Sequence, residues 1–136
     1  LTQDGLRLNL NPIPLDDISN FIIWGKPTDT IFYENDKIQK ISYTGGDVEE
    51  FYQSGQIKFV SAKSSTRSWF DNGQLKSQSI LKNNHYIIET TWYPNGQKKS
   101  EGTLSWGHND KKNEGEWKKN TDWKYWTENG KEKNNR

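Results

Sequence analysis

The stretch that decides the fold is Trp92-Tyr93-Pro94-Asn95-Gly96-Gln97-Lys98-Lys99. An Asn-Gly pair between residues that favour extended backbone is the strongest short-range signal of a β-hairpin, because a type I′ turn requires positive φ at both central residues. We therefore predict a hairpin here, with Asn95 and Gly96 as a two-residue loop.

The same order of aromatic residues followed by a turn pair recurs along the chain. The other copies are Phe32-Tyr33-Glu34-Asn35-Asp36, Phe51-Tyr52-Gln53-Ser54-Gly55, Trp69-Phe70-Asp71-Asn72-Gly73 and, less regularly, Tyr125-Trp126-Thr127-Glu128-Asn129-Gly130. The intervals between their closing residues are 19, 18, 23 and 34, so the last interval has room for an extra hairpin. Such repeats predict an array in which neighbouring units stack.

Composition and turn spacing predict a mainly β fold. Aromatic residues make up 13% of the 136 residues and methionine is absent, which favours strands over helices. Strands are predicted near residues 30–34, 37–44, 47–53, 56–62, 66–71, 74–82, 85–93, 97–106, 113–119 and 122–128. Because the connections are short, we expect an antiparallel meander of hairpins over residues 31–136.

Residues 1–30 lack the repeat and are interpreted as an N-terminal cap on a single domain. Pro14, Asp16 and Asp17 suit the start of a short helix over residues 15–24, and Gly25 suits its end. A strand over residues 20–24 is the alternative.

Two-residue loops would fix which side chains face each other in each hairpin. Tyr93 would then face Lys98 and Trp92 would face Lys99, and the two pairs would lie on opposite sides of the sheet. In the other copies the inner pairs are Tyr33 with Ile38, Tyr52 with Ile57 and Phe70 with Leu75, and the outer pairs are Phe51 with Lys58, Trp69 with Lys76 and Trp126 with Lys133. The inner pairs are expected to form the packing face.

The sequence offers few groups for catalysis or for binding a cofactor. There is no cysteine, and the two histidines, His85 and the predicted turn residue His108, have no metal-binding spacing around them. The net charge of +1 comes without a dense basic patch, so nucleic acid is an unlikely partner. No apolar run reaches the roughly 20 residues that span a bilayer. We expect a non-enzymatic protein without a cofactor.

Aromatic residues and lysines crowd the C-terminal third of the chain. Trp, Tyr and cationic side chains dominate binding hot spots, although these rings would also serve as a core. The candidate partner-binding residues are Trp92, Lys99, Trp106, Trp117, Lys118, Trp123, Lys124, Tyr125 and Trp126.

The repeated segments resemble the variant MORN repeat, in which two aromatics precede a variable residue, Asn-Gly, Lys or Gln, Leu, Lys, Ser, Glu and Gly. The resemblance covers residues 31–134. Asp36 in place of the turn glycine and Ser54 in place of the asparagine are its main departures. The resemblance implies an open, twisted antiparallel sheet of hairpins acting as a binding surface, and many bacterial members are antitoxins or resemble immunity proteins.

The resulting hypothesis is a bacterial antitoxin or immunity protein that neutralises a toxin or effector protein. The alternative is a structural or envelope-associated repeat scaffold. The sequence begins at Leu1 without an initiator methionine. The compartment therefore stays open between the cytoplasm and, if a signal peptide has been removed, the periplasm or cell envelope.

Overall fold

A computed structural model describes residues 22–133, which form one antiparallel sheet of eleven strands. The strands are β1 (Pro27–Phe32), β2 (Ile38–Tyr43), β3 (Val48–Phe51), β4 (Ile57–Ala62), β5 (Ser65–Trp69), β6 (Leu75–Lys82), β7 (Tyr86–Trp92), β8 (Lys98–Asn109), β9 (Glu114–Lys119), β10 (Lys124–Trp126) and β11 (Glu132–Lys133). They lie side by side in chain order through β8, which is followed by β10 and β11, while β9 pairs with β8 alone. The predicted open meander of hairpins is confirmed.

Each predicted strand corresponds to a strand of the sheet, and β11 is added. The prediction of His108 as a turn residue is wrong, because β8 continues to Asn109 and pairs His108 with Gly115. His108 is therefore an exposed strand residue. Residues 22–24 are not helical, and the rest of the cap helix predicted over residues 15–24 lies outside the described residues.

The Asn-Gly turns differ from the two-residue loops that the sequence predicted. Tyr93 N–H donates to the Gln97 carbonyl (2.8 Å), and Gly96 N–H donates to the Tyr93 carbonyl (2.9 Å). Gly96 has φ of 92°, whereas Asn95 is not among the residues with positive φ. This is a three-residue loop in which a type I turn is followed by a left-handed glycine. The type I′ geometry occurs instead in a turn at the other ends of the strands, at Lys63 and Ser64 between β4 and β5 (φ of 50° and 66°).

The longer loop shifts the register by one residue and corrects the predicted pairs. Trp92 faces Lys98, and Thr91 faces Ser100, so Lys99 is the extra residue of a β-bulge. Lys58 and Lys76 occupy the same bulge position in their hairpins. Each of the three lysines lies near the ring of an aromatic residue. The distance from ammonium to ring centre is 5.5 Å for Lys58 and Tyr52, 5.7 Å for Lys76 and Phe70, and 5.6 Å for Lys99 and Tyr93.

In the two central repeats, the corrected register also moves the core to the first aromatic, Trp69 and Trp92. Trp69, paired with Leu75, packs with Val60 and Ile80 in the main buried cluster, against which Trp92 is partly buried. The predicted packing set with Tyr52, Phe70 and Tyr93 is therefore wrong. The lysines at the bulge positions lie over those rings instead.

Hydrogen bonds from each hairpin to the next join the repeats. The tyrosine hydroxyls form one set, which we call the tyrosine tethers: Tyr33 to the Phe51 carbonyl (2.7 Å), Tyr52 to Trp69 (2.6 Å) and Tyr93 to Trp126 (2.9 Å). The turn asparagines form the other set, the asparagine tethers: Asn35 to the Gln53 carbonyl (3.4 Å), Asn72 to Pro94 (3.0 Å) and Asn95 to Glu128 (2.9 Å). Each such bond contributes about 0.5–1.5 kcal/mol, which matters in a sheet with a thin core.

Candidate binding surface

Strand β8 extends beyond its neighbour β7 and carries an exposed tryptophan there. Strand β7 pairs with β8 only as far as Ser105, whereas β9 pairs with β8 from Leu104 to Asn109. Residues 106–109 of β8 and residues 114–117 of β9 thus form a two-stranded ribbon beyond the end of β7. Trp106 faces Trp117 across it, with ring centres 5.4 Å apart and planes at 74°. Trp106 remains 60% exposed.

The Trp106 ring is supported by a residue without a side chain. A Cβ on Gly115 would overlap the ring of Trp106, so the glycine provides the space in which the indole lies. Edge-to-face aromatic pairs contribute about 0.5–1.5 kcal/mol beyond the area they bury. Trp106 is therefore both exposed and held in one orientation, as a binding anchor should be.

After β9 the chain forms a short loop, residues 120–123, against Thr103 in β8. The Thr103 carbonyl accepts from Asn120 N–H (2.9 Å) and from the Trp123 indole N–H (2.8 Å). The Asp122 carboxylate accepts from the backbone N–H of Thr103 (3.2 Å) and from its hydroxyl (3.0 Å). These bonds allow β10 to continue along the same edge of β8 that β9 occupies.

Trp123 is buried in this loop, 6% exposed, and it lies over Gly102 of β8. Its ring stacks with Tyr125 at 6.3 Å. Lys119 covers both rings, with its ammonium 4.3 Å from the centre of Trp123 and 3.2 Å from the Tyr125 hydroxyl. We refer to Trp106, Trp117, Lys119, Trp123 and Tyr125 as the aromatic strip.

Sequence reasoning missed Lys119. Alternation from Trp117 along β9 was the available signal, because it places Lys119 on the same face as that tryptophan. Its contact with Trp123 depends on the loop that residues 120–123 form against Thr103, which no local pattern reveals.

The structure divides the predicted site residues between the two faces of the sheet. Trp106, Trp117, Trp123 and Tyr125 lie together in the aromatic strip. Lys118 and Lys124 alternate with strip residues and point to the opposite face. Trp126 also alternates with Tyr125, and the Lys98 ammonium lies 5.6 Å from its ring. Trp92 packs against the core, and Lys99 lies over Tyr93.

A shallow groove of about 200 Å³ lies elsewhere on the sheet. Its lining residues are Glu50, Tyr52, Lys58, Phe59, Ser68, Trp69 and Lys76. Burial, followed by the negative charge of Asp71 and the neighbouring Tyr33, raises the pKa of the Tyr52 phenol above its ordinary value. Tyr52 thus stays neutral and serves as a hydrogen-bond donor to Trp69. Within residues 22–133, no group of three or more His, Asp or Glu side chains is arranged to hold a metal ion.

Comparison with known proteins identifies two of the hairpins. Residues 65–83 and 87–104 match the family model of the MORN repeat variant, and they correspond to the β5–β6 and β7–β8 hairpins. A search of curated proteins gave no significant match. Over the described residues, no helix has the length and apolar character to cross a membrane. These two hairpins are therefore similar to the MORN repeat variant, a repeat that suggests a module for binding or scaffolding.

Proposed function

We propose that this chain is a non-enzymatic protein-binding module, and specifically a bacterial antitoxin or immunity protein that neutralises a partner toxin. The observation that carries the proposal is Trp106, which is 60% exposed although its ring is held against Trp117 and Gly115. A fixed tryptophan loses little conformational entropy when it enters a partner's pocket. Tryptophan is also among the residues that most often dominate binding energy.

The polar groups around Trp106 suit a protein partner. Lys119 is exposed on the same face of β9 as Trp117, whereas Lys118 is exposed on the opposite face and donates to the His108 carbonyl (3.4 Å). Exposed charges at the edge of an interface mainly accelerate association and select the partner. The partner surface would offer an apolar pocket for Trp106 with acidic groups next to it.

The test measures binding to the product of a neighbouring toxin-like gene, together with rescue of growth when both are expressed. Trp106→Ala should weaken the complex by about 30-fold, the effect of losing a hot-spot residue. Trp24→Ala is the matched control, because Trp24 is 72% exposed but lies near Lys63, away from the strip. It should bind like the wild type.

Absence of a complex and of growth rescue would overturn the antitoxin role. Equal losses in the two tryptophan variants would overturn the assignment of the aromatic strip as the contact surface. A complex that forms without rescuing growth would support a binding module and contradict neutralisation.

A further inference from the structure

Three Asn-Gly pairs occupy equivalent turns in the sheet, at Asn72-Gly73, Asn95-Gly96 and Asn129-Gly130. In an Asn-Gly pair the glycine nitrogen attacks the asparagine side-chain carbonyl carbon, and ammonia leaves as a cyclic imide forms. Water then opens the imide to aspartate or isoaspartate. The following residue is glycine in all three pairs, so differences in rate depend on how the turns hold the asparagine.

Asn72 and Asn95 are held at both ends of their side-chain amides. The Asn95 oxygen accepts from Gln97 N–H (3.0 Å), and its nitrogen donates to the Glu128 carbonyl (2.9 Å). The Asn72 oxygen accepts from Gln74 N–H (2.9 Å), and its nitrogen donates to Pro94 (3.0 Å). Both bonds must break before the amide carbon can turn toward the glycine nitrogen and release ammonia.

Asn129 lacks this arrangement. The N–H of Lys131, which corresponds to that of Gln74 and Gln97, donates to the Thr127 hydroxyl (3.2 Å) and not to Asn129. Strand β11 is the last strand of the described sheet, so within residues 22–133 no further repeat offers a carbonyl to the Asn129 amide. Asn129 is exposed to the water that the second step consumes.

We propose that Asn129 is a site of spontaneous deamidation and isoaspartate formation in the folded protein, and that Asn72 and Asn95 are protected by their tethers. The change replaces a neutral amide with a carboxylate beside Lys131. Isoaspartate also adds a methylene to the main chain of the turn, which loosens the pairing of Trp126 with Glu132. The proposal does not depend on the antitoxin role.

The experiment ages the purified full chain in mildly alkaline buffer and follows each site by tryptic mass spectrometry with isoaspartate detection. The three pairs fall in different tryptic peptides, residues 68–76, 83–98 and 125–131. Fragment ions separate Asn95 from Asn83 and Asn84. In the native protein Asn129 should react about tenfold or more faster than the other two, since each tether resists release. In denaturant the three rates should converge.

Thr127→Val separates this explanation from simple fraying of the terminal hairpin. Without the Thr127 hydroxyl, Lys131 N–H becomes available to the Asn129 oxygen, and deamidation should slow. Faster deamidation in this variant would indicate fraying and overturn the hydrogen-bond explanation. Equal native rates at the three sites, or a difference that persists in denaturant, would overturn the proposal.

Discussion

The Tyr93 hydroxyl donates to the Trp126 carbonyl at 2.9 Å, a contact between residues 33 positions apart. It crosses the boundary between two repeats at the point where the β9 excursion interrupts the regular succession of hairpins. The contact joins β10 to the preceding repeat near the turns. The hydrogen bonds of Thr103 with Asp122 and Trp123 hold the segment just before β10 against the middle of β8.

Tyr93→Phe should therefore destabilise the protein by about 1 kcal/mol, because it deletes one partly buried hydrogen bond and little volume. Urea denaturation measures this free energy of unfolding. Phe70→Tyr is the informative partner variant, since Phe70 is the position in the array where a tyrosine tether is missing. It should add a bond to the Trp92 carbonyl and be neutral or stabilising. A destabilised Phe70→Tyr variant together with an unaffected Tyr93→Phe variant would contradict the role of the tethers.

Asn95 offers a test in which two hydrogen bonds are removed one at a time. Asn95→Ser should keep the bond within the turn, as Ser54 does by accepting from Gln56 N–H (3.3 Å), but it cannot reach the Glu128 carbonyl. Asn95→Ala removes both bonds. We expect unfolding free energies lower by about 1 and 2 kcal/mol respectively, measured by urea denaturation. An Asn95→Ser variant as stable as the wild type would show that the asparagine tether contributes nothing.

Close contact between Trp123 and Gly102 predicts a strong effect from a single methyl group. Gly102→Ala should destabilise the protein by roughly 1–3 kcal/mol, because a Cβ would overlap the buried Trp123 ring. Gly107→Ala is the control in the same strand, since a Cβ there meets nothing within 4 Å. Thermal unfolding followed by tryptophan fluorescence checks both. A Gly102→Ala variant as stable as Gly107→Ala would contradict the packing described for Trp123.

Tyr52 predicts how stability responds to alkaline pH. Burial raises the pKa of its phenol in the folded protein above the value of about 10 in the unfolded chain. The folded state then retains a proton that the unfolded state has lost. The contribution of Tyr52 is therefore fully present below pH of about 10 and declines as the pH rises through the folded pKa. Tyr52→Phe should lower stability at neutral pH but flatten its alkaline decline in urea titrations. An unchanged slope would contradict the prediction.

The sequence was sufficient to predict the meander but not its register. Turn residues at regular spacing gave the strands. However, the Asn95-Gly96 pair alone indicates a two-residue loop, whereas the loop in the structure also includes Pro94. Proline is favoured at the second position of a type I turn, so Pro94 was the available signal for the longer loop. The one-residue error exchanged the faces of Trp92 and Tyr93, since side chains alternate along a strand.

The candidate site was only partly predictable for a different reason. The excess of tryptophans identifies the C-terminal third, but the predicted strands 97–106 and 113–119 do not pair Trp106 with Trp117. That pairing arises because β8 continues to Asn109 and the turn lies at residues 110–113. The position of Trp123 over Gly102 does not follow from any local pattern. It depends on the hydrogen bonds of Thr103 with Asn120 and Asp122, which lie 17 and 19 positions further along the chain.

The tethers all point the same way along the chain. Every tyrosine and asparagine donor lies in the earlier hairpin, and every carbonyl acceptor lies in the later one. A duplicated hairpin inserted between two repeats would bring an acceptor for the unit before it and a donor for the unit after it. Gene duplication can therefore lengthen this sheet by whole hairpins while the tethers between neighbouring hairpins are kept. The width of the surface then becomes a property that evolution can change in steps of one hairpin.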